Sequence, residues 1–94
     1  MIETHLSTLR KYCRANNYLL CFDEEFTKDW GFLLTMKVGD PNDTRFQVSV
    51  KNSISPMMMR HPDMSQEFIF QEIREVQAAQ LTHAIWGWKN KKDA

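Results

Sequence analysis

Ser65-Gln66-Glu67-Phe68-Ile69-Phe70-Gln71-Glu72-Ile73-Arg74-Glu75-Val76-Gln77-Ala78-Ala79-Gln80-Leu81-Thr82-His83-Ala84-Ile85-Trp86-Gly87-Trp88 contains no proline, and its one glycine stands next to the end. The stretch predicts a long helix. Ser65 can cap it, its hydroxyl accepting from a first-turn backbone N–H, and Glu67 suits the positive end of the helix dipole. Met64 and Ile69 fit a hydrophobic staple around that cap. At about 100° per residue, Ile69, Ile73, Val76 and Ala84 share one face. Phe70, Leu81, Ile85 and Trp88 flank it, and Gln71, Arg74 and Glu75 fall on or near the opposite side. This arc is wider than the roughly 100° that one packing surface needs. The helix is therefore either deeply seated in its own domain or shares a flank with a partner. At about 35 Å it spans a short sheet and leaves the Trp86–Trp88 end overhanging.

The preceding chain supplies the sheet. Ile2, Leu6, Leu9 and Cys13 recur at helical spacing, which predicts a first helix over residues 3–16. Arg10, Lys11 and Arg14 suit its C-terminal half, and Asn16-Asn17 can end it in the left-handed conformation. Tyr18 to Asp23 reads as a short strand, followed by a solvated acidic turn at Asp23-Glu24-Glu25. Three consecutive carboxylates do not converge on a metal ion without help from elsewhere. Trp30 to Val38 alternates apolar and polar, Gly39-Asp40-Pro41-Asn42-Asp43 is a turn, and Thr44 to Ser53 alternates again.

Matching apolar to apolar sets Val38 opposite Thr44 and Met36 opposite Phe46, or the same pairing shifted by two residues. The first register puts Lys37 opposite Arg45 and Gly31 opposite Lys51, which gives the exposed sheet face a basic character. The predicted core is Phe32, Leu34, Phe46, Val48, Ile69, Ile73 and Val76.

These elements predict a single α+β domain: helix, three-stranded antiparallel sheet, helix (αβββα), with both helices on one face of the sheet. The domain spans residues 1–88, with a polar, frayed tail at 89–94. Ninety-four residues suffice for one domain with a modest core. A hydrophobic share of 43% argues against disorder. Twelve basic and twelve acidic residues cancel, so the whole-protein field exerts no strong pull toward nucleic acid or membrane. The N-terminus lacks the basic and apolar regions of a signal peptide, and no apolar run is long enough to span a bilayer, so a cytoplasmic protein is expected. In that setting Cys13 and Cys21 are expected to be buried free thiols.

Four methionines and His61 fall within residues 57–64. Thioethers and imidazole suit Cu(I), but the methionine spacing is irregular. Met57, Met58 and Met59 are expected either to plug the end of the core or to form an adaptable contact surface. His5, His61 and His83 share no ligand spacing, and no Cys-x-x-Cys or His-x-x-x-His pair suggests zinc. His83 is expected to pack on the apolar side of the last helix. Neither a glycine-rich phosphate loop nor a nucleophile elbow is present in the sequence. No catalytic residue, metal or cofactor is expected.

The order helix–three strands–helix is that of double-stranded RNA-binding domains, and Leu6-Ser7-Thr8-Leu9-Arg10-Lys11-Tyr12-Cys13 resembles their first helix. Those domains carry a small residue and a Lys-Lys-x-Ala-Lys-type cluster at the start of the final helix, which grips phosphates. Here that place reads Ser65-Gln66-Glu67-Phe68-Ile69, acidic and apolar. The resemblance covers element order alone, which secretion chaperones and phage-encoded inhibitors share, and it assigns no family.

The expected function is a non-enzymatic protein-interaction module: a small adaptor, inhibitor or accessory factor, of the kind phages and mobile elements encode. Its contact residues are expected at Phe70, Leu81, Ile85, Trp86 and Trp88, with Met57, Met58 and Met59, and a homodimer is one form that contact can take. The alternative is a nucleic-acid-binding domain using Lys37, Arg45 and Lys51.

Overall fold

The computed structural model describes residues 3–93, with side chains to Lys89. Its elements are α1 (His5–Asn16), β1 (Leu19–Thr27), β2 (Gly31–Asp40), β3 (Asp43–Ser53), α2 (Ser55–Arg60) and α3 (Gln66–Asp93). The strands form one antiparallel sheet in the order β1-β2-β3. The α+β helix–sheet–helix arrangement read from the sequence is the one observed, with the short α2 added between β3 and the long helix.

Local sequence explains most boundaries. Thr4 and Ser7 close α1 with a capping box, and Asn17 ends it at φ 59°, in the left-handed region. The Ser65 hydroxyl accepts from the Phe68 N–H at 3.1 Å, as a helix cap does. α3 continues past Trp88 to Asp93, so residues 89–93 are its last turns and not a frayed tail. Its 28 residues make it about 42 Å long, close to the 44 Å long dimension of the molecule.

Four strand and loop expectations are corrected. Asp23-Glu24-Glu25 lies inside the nine-residue β1 and is not a turn. Trp30 lies outside β2, because Gly31 at φ 70° breaks the extended backbone that the alternation assumed. The stretch after Ser53 is not wholly irregular: Pro56 sits near the start of α2, where its missing N–H costs nothing. The β2–β3 register lies four residues further along β3 than the first apolar matching, and two beyond the same pairing shifted by two residues. Met36 faces Val50, Val38 faces Val48, and Lys37 faces Ser49. The cause is an irregularity at the hairpin: Gly39 pairs with Gln47 while Asp40 pairs with Asp43, so β3 absorbs extra residues there. The inward parity survives, but the expected Lys37–Arg45 and Gly31–Lys51 pairs do not form.

The interior divides into two clusters. Leu9, Cys13, Met36, Val38, Phe46, Ala78, Leu81 and Ile85 form one, where α1 and the C-terminal half of α3 meet the sheet. Leu34, Ile54, Ile69 and Ile73 form the other, beneath the start of α3. Of the predicted core, Phe32 and Val48 are partly buried and Val76 is exposed. The buried row of α3 is Ile69, Ile73, Gln77, Leu81 and Ile85, a strict four-residue series. Such a row drifts about 40° per step around a straight helix, following a sheet that twists beneath it. A wheel read in one fixed direction therefore turned Val76 and Ala84 inward and missed Gln77.

Two polar clamps tie α3 to its neighbours. Gln77, fully buried, donates from Nε2 to the Leu34 carbonyl at 2.7 Å. Its Oε1 accepts from Arg74 at 3.0 Å. Arg74 also donates to the Thr35 carbonyl at 2.7 Å and to the Asp23 carbonyl at 3.2 Å, so it faces the sheet and not solvent. Burial lowers its pKa, while the charges of Glu24 and Asp23 oppose that shift. Phe22 lies between Arg74 and Arg10, at 5.1 and 5.0 Å from its ring centroid.

Candidate functional site: an apolar end of the molecule

The expected contact residues do not form one patch. Leu81 is fully buried and Ile85 nearly so, so neither anchors an exposed contact patch. Phe70 and Trp88 are half-buried, Phe70 against the Ile69 cluster and Trp88 with its ring centroid 4.6 Å from that of Phe46. Trp86 is 66% exposed and stacks on His83, which is also exposed and not packed on the apolar side. The methionines sit at the other end of α3. Met57 packs beside the Ile69 cluster, whereas Met58 and Met59 face solvent, so only the first of them plugs the core. Sixteen residues of helix, about 24 Å, separate Phe70 from Trp86.

The end of the molecule that carries the methionines is built from three elements. Phe26 at the end of β1 faces Phe32 across the sheet, with ring centroids 5.1 Å apart. Phe32 meets Phe70 edge-on at 6.1 Å. Trp30 closes the β1–β2 turn, its backbone N–H donating to the Thr27 hydroxyl at 3.0 Å. Its carbonyl accepts from the hydroxyls of Ser53 at 3.0 Å and Ser55 at 3.3 Å, which fixes the turn against the start of α2. Gly31 permits this approach: a Cβ there would lie 2.5 Å from the Ser55 hydroxyl oxygen. Met59 follows Ser55 by four residues and so shares its side of α2.

At this end Phe32, Met57 and Phe70 are partly buried against the Ile69 cluster. Phe26 at 68% exposure, Trp30 at 67%, Met59 at 82% and the less exposed Met58 face solvent around them. Sequence reading placed the methionines here but missed Phe26 and Trp30. Phe26 sat in what read as an acidic turn, and Trp30 was absorbed into a strand pattern.

Two other surfaces compare with it. Between α1 and the end of α3 runs a groove of about 230 Å³ walled by Leu9, Tyr12, Ile85 and Trp86. At its mouth the Lys89 ammonium lies 5.1 Å from the Tyr12 ring centroid and 5.4 Å from that of Tyr18. Hydrogen bonding with these tyrosines raises its pKa. The exposed face of the sheet carries Lys37 and Lys51 among Cys21, Asp23, Thr35 and Ser49. Lys51 is 3.9 Å from the Glu25 carboxylate, and Arg45 pairs with Asp43 at 3.1 Å. The structure thus places Lys37 and Lys51 on one face but mixes acidic groups among them.

Both cysteines are free; Cys13 is buried and Cys21, expected inside, is exposed on the outer sheet face. Burial raises the Cys13 thiol pKa. Among the described residues, no group of three His, Cys, Asp or Glu side chains could hold a metal ion. No described helix is long and apolar enough to cross a membrane. No protein-family model, no curated protein and no solved structure matches this chain.

Proposed function

We propose that this protein is a non-enzymatic protein-interaction module, an adaptor, inhibitor or accessory factor, that contacts its partner through Phe26, Trp30, Met58 and Met59. The observation that carries this reading is the exposure of two aromatic rings and two methionines at one end of the fold. Contiguous apolar patches of several hundred Å² on a folded domain mark interaction surfaces. Tryptophan and other aromatic side chains anchor such surfaces at low entropic cost, and methionine adapts to the facing shape. The β1–β2 turn is held in place by the Ser53 and Ser55 bonds to Trp30, so contact requires little reordering of that turn.

Nucleic-acid binding through Lys37, Arg45 and Lys51 has less support. Arg45 and Lys51 lie beside carboxylates, which reduces the counterion release that drives phosphate binding.

Immobilised protein and its Trp30→Ser, Met59→Ser variant distinguish the two readings. A binding partner retained by the first and lost by the second supports the interaction module. Equal capture by both, together with salt-sensitive binding to a duplex or single-stranded probe that Lys37→Gln, Lys51→Gln abolishes, overturns it.

A further inference from the structure

The groove between α1 and the C-terminal half of α3 has a shape and a charge that select a class of ligand. Leu9 and Ile85 are its buried floor, and Tyr12 on α1 and Trp86 on α3 wall it. Trp86 is two-thirds exposed, and the His83 ring stacks on it at 6.3 Å between centroids. The groove measures 230 Å³. An apolar cavity of about 150 Å³ holds a benzene molecule. This one therefore has room for an aromatic ring and a short arm.

The polar groups of the groove leave one place for an anion. The Thr82 hydroxyl already donates to the Ala78 carbonyl at 2.8 Å. Glu3, beside Thr8 at the other end, pairs with Lys11. Lys89 remains, half-buried, its ammonium 5.1 and 5.4 Å from the ring centroids of Tyr12 and Tyr18. Among the described residues no carboxylate forms an ion pair with it. An ammonium has three donors, so the two tyrosine hydroxyls leave at least one for a ligand. The raised pKa keeps that ammonium charged through the neutral range. Ligand sites combine an apolar lining with a few placed polar groups that orient the ligand.

The single charge also limits the anion. The contacts of Leu6 with Glu75 and of Tyr12 with Lys89 show that α1 and α3 run in the same direction. Both helices therefore point their carbonyl ends this way, which disfavours a multiply charged anion. One ammonium in that setting suits a monoanion. We propose that the groove between α1 and α3 binds a small aromatic carboxylate, with its ring between Tyr12 and Trp86 and its carboxylate on the Lys89 ammonium. This site is separate from the contact surface at Phe26 and Trp30, and neither reading depends on the other.

Titration of the isotope-labelled full chain with 3-phenylpropionate at neutral pH, followed by amide and indole NMR resonances, tests it. Saturable shifts are expected at the Trp86 indole and at the Thr82 and Lys89 amides, with the Trp30 indole unmoved. A Kd of about 1 mM or tighter is expected for a ligand of this size. 3-Phenylpropanamide, which has the same shape without the charge, is expected to bind at least about tenfold more weakly, as is the acid to Lys89→Met. Octanoate, which keeps the charge without the ring, is also expected to bind more weakly. Thr82→Trp fills the groove and is expected to abolish binding in a chain whose circular dichroism is unchanged. The amide comparison uses the unmodified chain, so it decides the role of charge even if a variant fails to fold. Absence of saturable shifts, shifts centred outside the groove, an amide that binds as tightly as the acid, or octanoate that binds more tightly overturns the proposal.

Discussion

The Glu75 carboxylate holds the start of α1: its Oε2 accepts from the Leu6 backbone N–H at 2.8 Å, and Oε1 accepts from that of His5 at 3.0 Å. The Thr4 hydroxyl takes the Ser7 N–H and the Thr4 carbonyl takes that of Thr8, so all four first-turn donors of α1 have partners. A residue of the last helix thus completes the first. Glu75→Ala is expected to cost about 1–2 kcal/mol, as loss of a helix cap does. In a domain of this size that lowers the melting temperature by roughly 5–15 °C. Glu72→Ala, at an exposed position on the same helix, is expected to stay within about 0.5 kcal/mol. Calorimetry on the two variants checks the contrast.

Gln77 is the second polar tie between layers. Gln77→Met keeps the volume but leaves the Leu34 carbonyl without its donor, and is expected to cost about 1–3 kcal/mol. Gln77→Ala adds a cavity and is expected to cost about 2–5 kcal/mol. Denaturant unfolding of the pair separates the hydrogen bond from the packing. Equal stability of Gln77→Met and the parent would mean that the bond contributes nothing.

The drift of the buried row on α3 has its own test. Leu81→Ala is expected to destabilise by about 2–5 kcal/mol, and Val76→Ala by no more than about 0.5 kcal/mol. The reverse order would restore the fixed helical face that the sequence suggests.

Much of the architecture was legible because it depends on local patterns. The Leu6, Leu9, Cys13 spacing marked α1, the alternation from Phe32 to Val38 marked β2, and Ser65 marked the start of α3. What escaped depends on tertiary geometry. The register moved because β3 absorbs residues beside the hairpin, where Asp40 pairs with Asp43. Arg74 read as a surface side chain and Gln77 was given no role, yet their partners are strand carbonyls that no local pattern announces. Glu75 finds its role through α1, seventy residues away in sequence. At the candidate site the methionines were visible as a composition, while Phe26 and Trp30 join them only once Gly31 bends the chain and Ser55 meets the Trp30 carbonyl.

The cysteines give a chemical check on the sheet's two faces. Burial raises the Cys13 pKa and withholds its thiol from reagent, so little nucleophilic thiolate forms there near neutral pH. Cys21 is exposed. Iodoacetamide is expected to alkylate Cys21 alone in the folded protein and both residues after denaturation. Mass spectrometry of the native reaction reads this out, and labelling of Cys13 at a rate equal to Cys21 would contradict the packing of α1 on the sheet.

Trp30 itself reports whether the exposed apolar end is a contact surface. With Trp86→Phe and Trp88→Phe, Trp30 is the sole indole in the chain. Its emission is measured as the protein is titrated with a partner captured on the immobilised protein. A shift from the red emission of a solvated indole to the blue emission of a buried one, reversible on dilution, is the result expected for a contact surface. Red emission at every concentration, from a protein that remains folded, would contradict it.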